Sequence, residues 1–237
     1  MARVTDLIEE NPTVRSVVLD CPGWPGHLPG QHIDIRLTAE DGYQAQRSYS
    51  IATPSEGERV TITVEFVEGG EVSPFLVEEL RVDDRIEIRG PIGGYFTWRE
   101  TMTNPLLLVG GGSGVVPLMA ILRARVQSAS DVPVFHLASA RSFDRLIYFE
   151  ETSAVAKGDG AISVVHTLTR SHPTDWAGPT RRVDKEMLIM AGFSPSDTPD
   201  VYVCGPTEFV EHVAATLVES GHAPGRVRTE RFGPSGG

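Results

Sequence analysis

Over roughly the first hundred residues, hydrophobic and polar positions alternate. Val60, Ile62, Val64 and Phe66 are separated by Thr61, Thr63 and Glu65, and a period of two is that of a strand with one buried face. Ile33-Asp34-Ile35-Arg36-Leu37 and Ile86-Glu87-Ile88 repeat the pattern. Pro22-Gly23, Pro29-Gly30, Asp41-Gly42 and Gly69-Gly70 punctuate the runs. Short strands between regular turns predict an antiparallel barrel or sandwich. One helix is expected within it, over 75–80, with the Ser73 hydroxyl as N-cap and Pro74 at its first position.

Beyond Asn104 the texture changes to strand, turn and helix in alternation. Strands are expected at 106–109, 132–138, 162–167, 201–204 and 227–230, and helices at 115–126, 143–156 and 206–220. Pro206 opens the last helix and Gly221 follows it. Such alternation predicts a doubly wound parallel sheet with helices on both faces. The expected domains are therefore 1–102, a β-barrel, and 103–237, an α/β domain, meeting near Met102-Thr103-Asn104-Pro105.

Composition narrows the chemistry. The chain has 237 residues and a net charge of 21 − 32 = −11. Nucleic-acid binding favours the opposite sign, because neutralising phosphates drives it. Two cysteines, Cys21 and Cys204, are too few for a disulfide framework or a four-cysteine iron–sulfur site. Redox chemistry would then need an organic cofactor, bound haem aside. The N-terminus lacks a basic start followed by an apolar core, and no apolar run approaches bilayer length. A soluble cytoplasmic protein is the expectation.

Three segments carry candidate chemistry. Gly110-Gly111-Gly112-Ser113-Gly114 joins a buried strand to a helix, where backbone N–H groups and the helix end favour an anion. It is not the usual dinucleotide G-x-G-x-x-G pattern. Cys204-Gly205-Pro206 ends a later strand, at the edge where open α/β sheets bind ligands. Arg47-Ser48-Tyr49-Ser50 combines a guanidinium for phosphate, a ring for stacking and a hydroxyl for hydrogen bonding.

These segments occur in one order with Gly69-Gly70-Glu71-Val72-Ser73 and Gly90-Pro91-Ile92-Gly93-Gly94-Tyr95-Phe96 between them. In that combination the chain resembles the ferredoxin–NADP reductase family of flavoproteins, from Gly30-Gln31 to Phe232. The resemblance implies an N-terminal flavin-binding Greek-key barrel and a C-terminal nicotinamide-dinucleotide domain. It implies that Arg47 pairs with flavin phosphate, that Ser48 belongs to the same cofactor-binding segment, that Tyr49 lies against the isoalloxazine ring and that Ser50 donates toward flavin N5. Gly70, Glu71, Val72 and Ser73 would hold the FAD pyrophosphate. Gly111, Gly112, Ser113 and Gly114 would bind the nicotinamide cofactor's pyrophosphate, with Cys204 beside the nicotinamide and Gly205 and Pro206 also among the cofactor-binding residues. Glu230-Arg231-Phe232 looks like the family's terminal segment, in which the aromatic covers the second flavin face. This chain continues for five residues past it.

The strand expected over 132–138 leads into Ser139-Ala140-Arg141-Ser142, without a carboxylate for a ribose 2′-hydroxyl. Arg170, Arg181 and Arg182 follow in an acidic chain whose only lysines are Lys157 and Lys185. Guanidinium suits a 2′-phosphate, so NADPH is the expected donor, with NADH as the alternative. The expected enzyme is a monomer that passes hydride from NAD(P)H to bound FAD, then electrons to a separate ferredoxin, flavodoxin or oxygenase component. A reductase of free flavin, an electron-transfer subunit of a larger complex and a nucleotide-binding sensor are the alternatives.

Overall fold

The computed structural model describes residues 1–232; the Gly-rich tail at 233–237 lies outside the described residues. Six strands build the N-terminal unit: β1 (Ala2–Asn11), β2 (Val14–Asp20), β3 (His32–Thr38), β4 (Gln44–Ser50), β5 (Arg59–Glu65) and β6 (Arg85–Ile92). They pair antiparallel in the order β4-β3-β6-β1-β2-β5. An Ile51–Ile62 bridge joins the end of β4 to β5, and the Ala52 N–H donates to Thr61 O at 2.7 Å, so the sheet curls toward closure. Ile33, Ile35, Val60, Ile62 and Leu76 fill its interior.

Two expectations change here. Thr61 and Thr63, on the polar side of β5's alternation, are buried as well as Val60, Ile62 and Val64. The second domain covers that face. Ser73 does not cap a helix. Its Oγ accepts from the Val67 N–H at 3.1 Å, and 75–80 contains a single wide turn closed by Leu80 N–H to Phe75 O.

The C-terminal unit runs β7 (Leu106–Gly111), α1 (Val115–Gln127), β8 (Val134–Ala140), α2 (Phe149–Gly158), β9 (Ile162–Leu168), α3 (Lys185–Ile189), β10 (Asp200–Pro206), α4 (Thr207–Glu219) and β11 (Val227–Phe232). Its five strands are parallel, in the order β11-β10-β7-β8-β9. Leu106 and Leu108 pack toward α1 on one face, while Leu107 and Val109 pack toward α3 and α4 on the other. Both faces are covered, which is why β7 reads as a continuous apolar run.

Local boundaries differ where backbone geometry decides. The second strand starts at Val134, after Pro133, and runs to Ala140. The helix expected over 143–156 is broken: a short turn at Phe143–Arg145 precedes α2, and Tyr148 between them is left-handed. Gly110 and Gly111 belong to β7, so the turn proper is Gly112–Gly114. Pro206 ends β10 rather than lying inside α4. The chain crosses between units over 93–105, where Phe96 and Trp98 already pack into the α/β core.

Candidate functional site

A cleft of about 820 Å³ opens between the units, within the size range of sites that take a large cofactor. The end of β4 forms its floor with Arg47, Ser48, Tyr49 and Ser50; the 67–73 loop forms one rim; Ser113, Val116 and Phe232 come from the second unit. Strand alternation gives neighbouring β4 residues different tasks. The Ser48 hydroxyl faces Asp34 and donates to its Oδ1 at 2.6 Å. Tyr49 packs on the barrel core, and burial pushes its hydroxyl pKa up. Ser50 is buried where β4 meets the cleft.

Arg47 extends Nη2 to Glu71 Oε2 at 2.8 Å and Nη1 to Gln46 O at 2.7 Å. The other Glu71 oxygen accepts from the Tyr43 hydroxyl. That hydrogen bond and, secondarily, Arg47 hold the Glu71 carboxyl below its ordinary range. Glu71 therefore occupies the guanidinium that a phosphate would use. The loop around it is compact: Gly70 N–H donates to Val67 O at 2.9 Å. A Cβ on Gly70 would sit 3.0 Å from that oxygen and 3.1 Å from Ser73 Oγ. Gly70, Val72 and Ser73 thus form a compact cradle that lines the cleft beside Arg47.

The parallel unit presents its carboxyl edge. Gly114 lies against β10: a Cβ there would be 2.2 Å from Cys204 O. Gly111 backs onto the Phe209 ring, and Gly112 takes a φ of +55°. A Cβ on Gly110 would be 2.8 Å from Val115 Cγ1, so the glycine run is required by close packing at Gly110, Gly111 and Gly114 and by backbone conformation at Gly112. Cys204 sits in register between Gly110 on one side and Glu230 on the other, and Pro206 is opposite Phe232. Gly205 continues β10 with a φ of +152° beside Gly111 O. Burial, then Glu230, raises the Cys204 thiol pKa. Burial alone lifts Glu230 to about 7.

Arg141 and Arg170 lie where β8 and β9 end, joined by an Arg170 N–H bond to Arg141 O at 2.9 Å. Both are exposed, as is Arg182. Arg181 is engaged by Asp184 and Glu186 at 2.5 and 2.9 Å. Arg141, Arg170 and Arg182 have no ion-pair partner among the described residues. The structure thus brings the β4 tetrapeptide, Gly70 to Ser73, Ser113 and Phe232 around one cleft. Cys204 and Glu230 lie behind Gly114 at the sheet edge, and the three arginines lie farther along it.

Two family models divide the chain: an oxidoreductase FAD-binding domain over residues 5–97 and an oxidoreductase NAD-binding domain over 108–215. The chain belongs to the ferredoxin reductase-like FAD- and NAD-binding oxidoreductases. The ferredoxin–NAD(P)⁺ reductase component of the naphthalene 1,2-dioxygenase/salicylate 5-hydroxylase systems of Ralstonia sp. is 31% identical over 216 residues, 88% of this chain and 61% of that protein. The glycine betaine monooxygenase reductase subunit of Pseudomonas aeruginosa is 28% identical over 99% of this chain and 64% of its own length. The chain therefore spans a little under two thirds of these relatives. The flavohaem-like FAD/NAD-binding domain of nitric oxide dioxygenase from Vibrio cholerae superposes with a TM-score of 0.84 at 26% identity, over 98% of both chains. In the family's terms, the barrel is the FAD-binding domain and the parallel sheet the NAD(P)-binding domain. No helix among the described residues is long and apolar enough to cross a membrane.

Sequence reasoning passed over Thr63, Glu65, Val67, Glu68 and Arg231, which also line the cleft. Glu65 ends β5's alternation and Arg231 lies between two residues of the recognised tail, so both had a positional signal. Thr63 had none, because its neighbour comes from the other domain.

Proposed function

We propose that this chain takes hydride from NAD(P)H on FAD held in the cleft and delivers electrons to a separate protein, a ferredoxin or an oxygenase component. The observation that carries this reading is the cleft itself, where Arg47, the Gly70–Ser73 cradle, Tyr49 and Ser50 face Phe232 and the glycine turn of the second domain. The relatives' names, reductase components of oxygenase systems, support the acceptor class. Bound FAD supplies hydride acceptance and one-electron release.

The residues' tasks follow from their places. Arg47 would exchange Glu71 for phosphate and the Ser73 hydroxyl would donate beside it, the Gly70 N–H being held by Val67 O. Tyr49 and Phe232 would hold the flavin ring between them, with Phe232 on the side the nicotinamide must reach. Ser50 would donate a hydrogen bond where the bound ring gains electron density. Gly111 to Gly114 would receive the dinucleotide's diphosphate, and Cys204, buried behind Gly114, would back that turn with a small polarisable group. Glu230 exchanges protons near neutral pH. A bound FAD fits better than free flavin as substrate, because Arg47 and the cradle beside it would together hold a diphosphate. The working unit is a monomer in the cytoplasm.

Anaerobic stopped-flow mixing with NADPH and NADH tests the reading. The wild type becomes reduced and bleaches its flavin; Ser50→Ala keeps the FAD and slows reduction about tenfold, equivalent to about 1.4 kcal/mol of transition-state stabilisation. Flavin that neither nicotinamide reduces, or a Ser50→Ala rate equal to wild type, overturns it.

Arg141, Arg170 and Arg182 support NADPH as the preferred donor. Replacing Arg170 and Arg182 together by Ala raises the KM for NADPH at least tenfold and leaves that for NADH within about twofold, since each charge-assisted bond contributes about 1.5–3 kcal/mol. Steady-state kinetics with both donors checks it; equal losses contradict the assignment.

A further inference from the structure

A buried chain of polar side chains lies behind the cleft, between the domains. It starts at Tyr148, the residue preceding α2, with φ 60° and ψ 26°. The left-handed region costs a residue with a Cβ about 1–3 kcal/mol, and persists where surroundings over-determine it. Tyr148 Oη shares a hydrogen bond of 2.5 Å with Thr63 Oγ1 on β5. Thr63 Oγ1 shares one of 2.6 Å with Ser16 Oγ on β2, and Ser16 Oγ donates to Glu10 Oε1 at 2.5 Å. Each hydroxyl has one proton, so the direction is fixed. Tyr148 donates to Thr63, Thr63 to Ser16 and Ser16 to the carboxylate. Ser16, Thr63 and Tyr148 are all buried, and aligned bonds of this kind reinforce one another.

A second crossing lies on the same ring. The Arg123 guanidinium, from α1, stands 4.7 Å from the Tyr148 ring centroid. Its Nε and Nη2 clasp Glu151 on α2 at 2.8 and 2.5 Å, and its Nη1 donates to Ala52 O in the barrel at 2.7 Å. Both crossings attach to elements that also form the cleft. Thr63 lines it from β5, and Val116 lines it from the first turn of α1. Whatever fixes β5 against α1 also fixes the floor of the cleft against the glycine turn.

We infer that Tyr148 is a positioning residue: it latches the α/β domain to the barrel and thereby sets the alignment of the nicotinamide with the flavin. This rests on the proposed hydride transfer. It goes beyond that reading by naming a side chain that touches neither cofactor site. Alignment matters because reacting atoms must approach to about 3–3.5 Å, and a misplacement of about 1 Å can cost roughly a hundredfold in rate.

Tyr148→Phe in the FAD-loaded full chain tests the latch. It keeps the ring under Arg123 and removes the one proton that crosses to Thr63. Ser16→Ala is the second variant; it breaks the same chain one link farther on, away from the cleft. Both are compared with wild type by amide hydrogen exchange and by stopped-flow reduction over a range of NAD(P)H concentrations. The expected result is retained FAD and an apparent Kd for the nicotinamide within about twofold of wild type. The limiting reduction rate falls about tenfold, the long-wavelength nicotinamide–flavin charge-transfer absorbance weakens, and exchange quickens in β5 and at the start of α2. The double variant is no slower than the worse single one, because both break one chain. Wild-type exchange in Tyr148→Phe shows that no latch exists. Faster exchange with a wild-type limiting rate shows that the contact does not align the cofactors. If neither nicotinamide reduces even the wild type, the proposed function fails instead, and exchange alone then decides whether Tyr148 joins the domains.

Discussion

Gly114→Ala destabilises the protein by about 2 kcal/mol or more and, if the proposed function holds, weakens nicotinamide binding. The backbone at Gly114 is ordinary right-handed helix, φ −61° and ψ −13°, so conformation alone would favour alanine by about 1 kcal/mol. The cost is steric. The new methyl carbon would lie 2.2 Å from Cys204 O, 2.4 Å from Cys204 C and 2.6 Å from Gly205 N. All three are backbone atoms. Cys204 cannot yield, because β10 is hydrogen-bonded on both sides, to β7 and β11. The turn must move by about an ångström, and core overpacking of that kind costs roughly 1–3 kcal/mol, sometimes more. The movement also pulls the glycine turn away from the Cys204 edge. Urea denaturation and a nicotinamide titration measure both losses. Gly112→Ala is the control: its φ is +55° and its nearest neighbour is Glu65 Oε2 at 3.8 Å, so strain costs it only about 1–2 kcal/mol. If Gly114→Ala is as stable as wild type, the close approach of turn and strand is wrong.

The glycine run also shows what a sequence reveals and what it hides. Its position between an apolar strand and a helix was legible, and so was the doubly wound unit around it. Strands buried on both faces read as apolar runs, as at 106–109 and 201–204. The barrel was legible only in part. β1 carries register irregularities at Val4/Asp6 and Glu9/Asn11, which break the alternation that marks a strand. β5 showed its alternation clearly, but Thr61 and Thr63 read as a solvent face. They are buried by a domain about a hundred residues away in the chain, and a local pattern carries no information about that. The same holds at the site. Arg47, Tyr49, Ser50 and the Gly70–Ser73 segment stood out because several residue types converge within a few positions. The Glu71 bond to Arg47, the tie of Arg181 to Asp184 and the chain from Tyr148 to Glu10 depend on which neighbours the fold supplies.

Glu230→Gln flattens the pH dependence of stability between about pH 4.5 and 8. Burial raises the Glu230 carboxyl from 4.5 to about 7, and no cation offsets it. The adjacent arginines are engaged elsewhere, Arg228 by Asp200 at 2.9 Å and Arg231 by Glu211 at 2.7 Å. Above pH 4.5 the unfolded chain releases this proton while the folded chain keeps it. The folded state then binds more protons than the unfolded one, so stability falls as pH rises. The contribution is fully present below pH 4.5 and is lost as pH passes through 7. A shift of that size is equivalent to about 3 kcal/mol. Glutamine keeps the shape and removes the titration. The difference in unfolding free energy between the two proteins, measured by urea denaturation across that range, should therefore change by about 3 kcal/mol, with wild type losing more at high pH. Equal slopes for both proteins would place the Glu230 carboxyl in contact with water and leave it an ordinary surface acid. A falling difference would instead confirm a carboxyl at the carboxyl edge of the parallel sheet, next to Cys204, that gives up and takes back its proton near neutral pH, the range in which a proton-exchanging group is most effective.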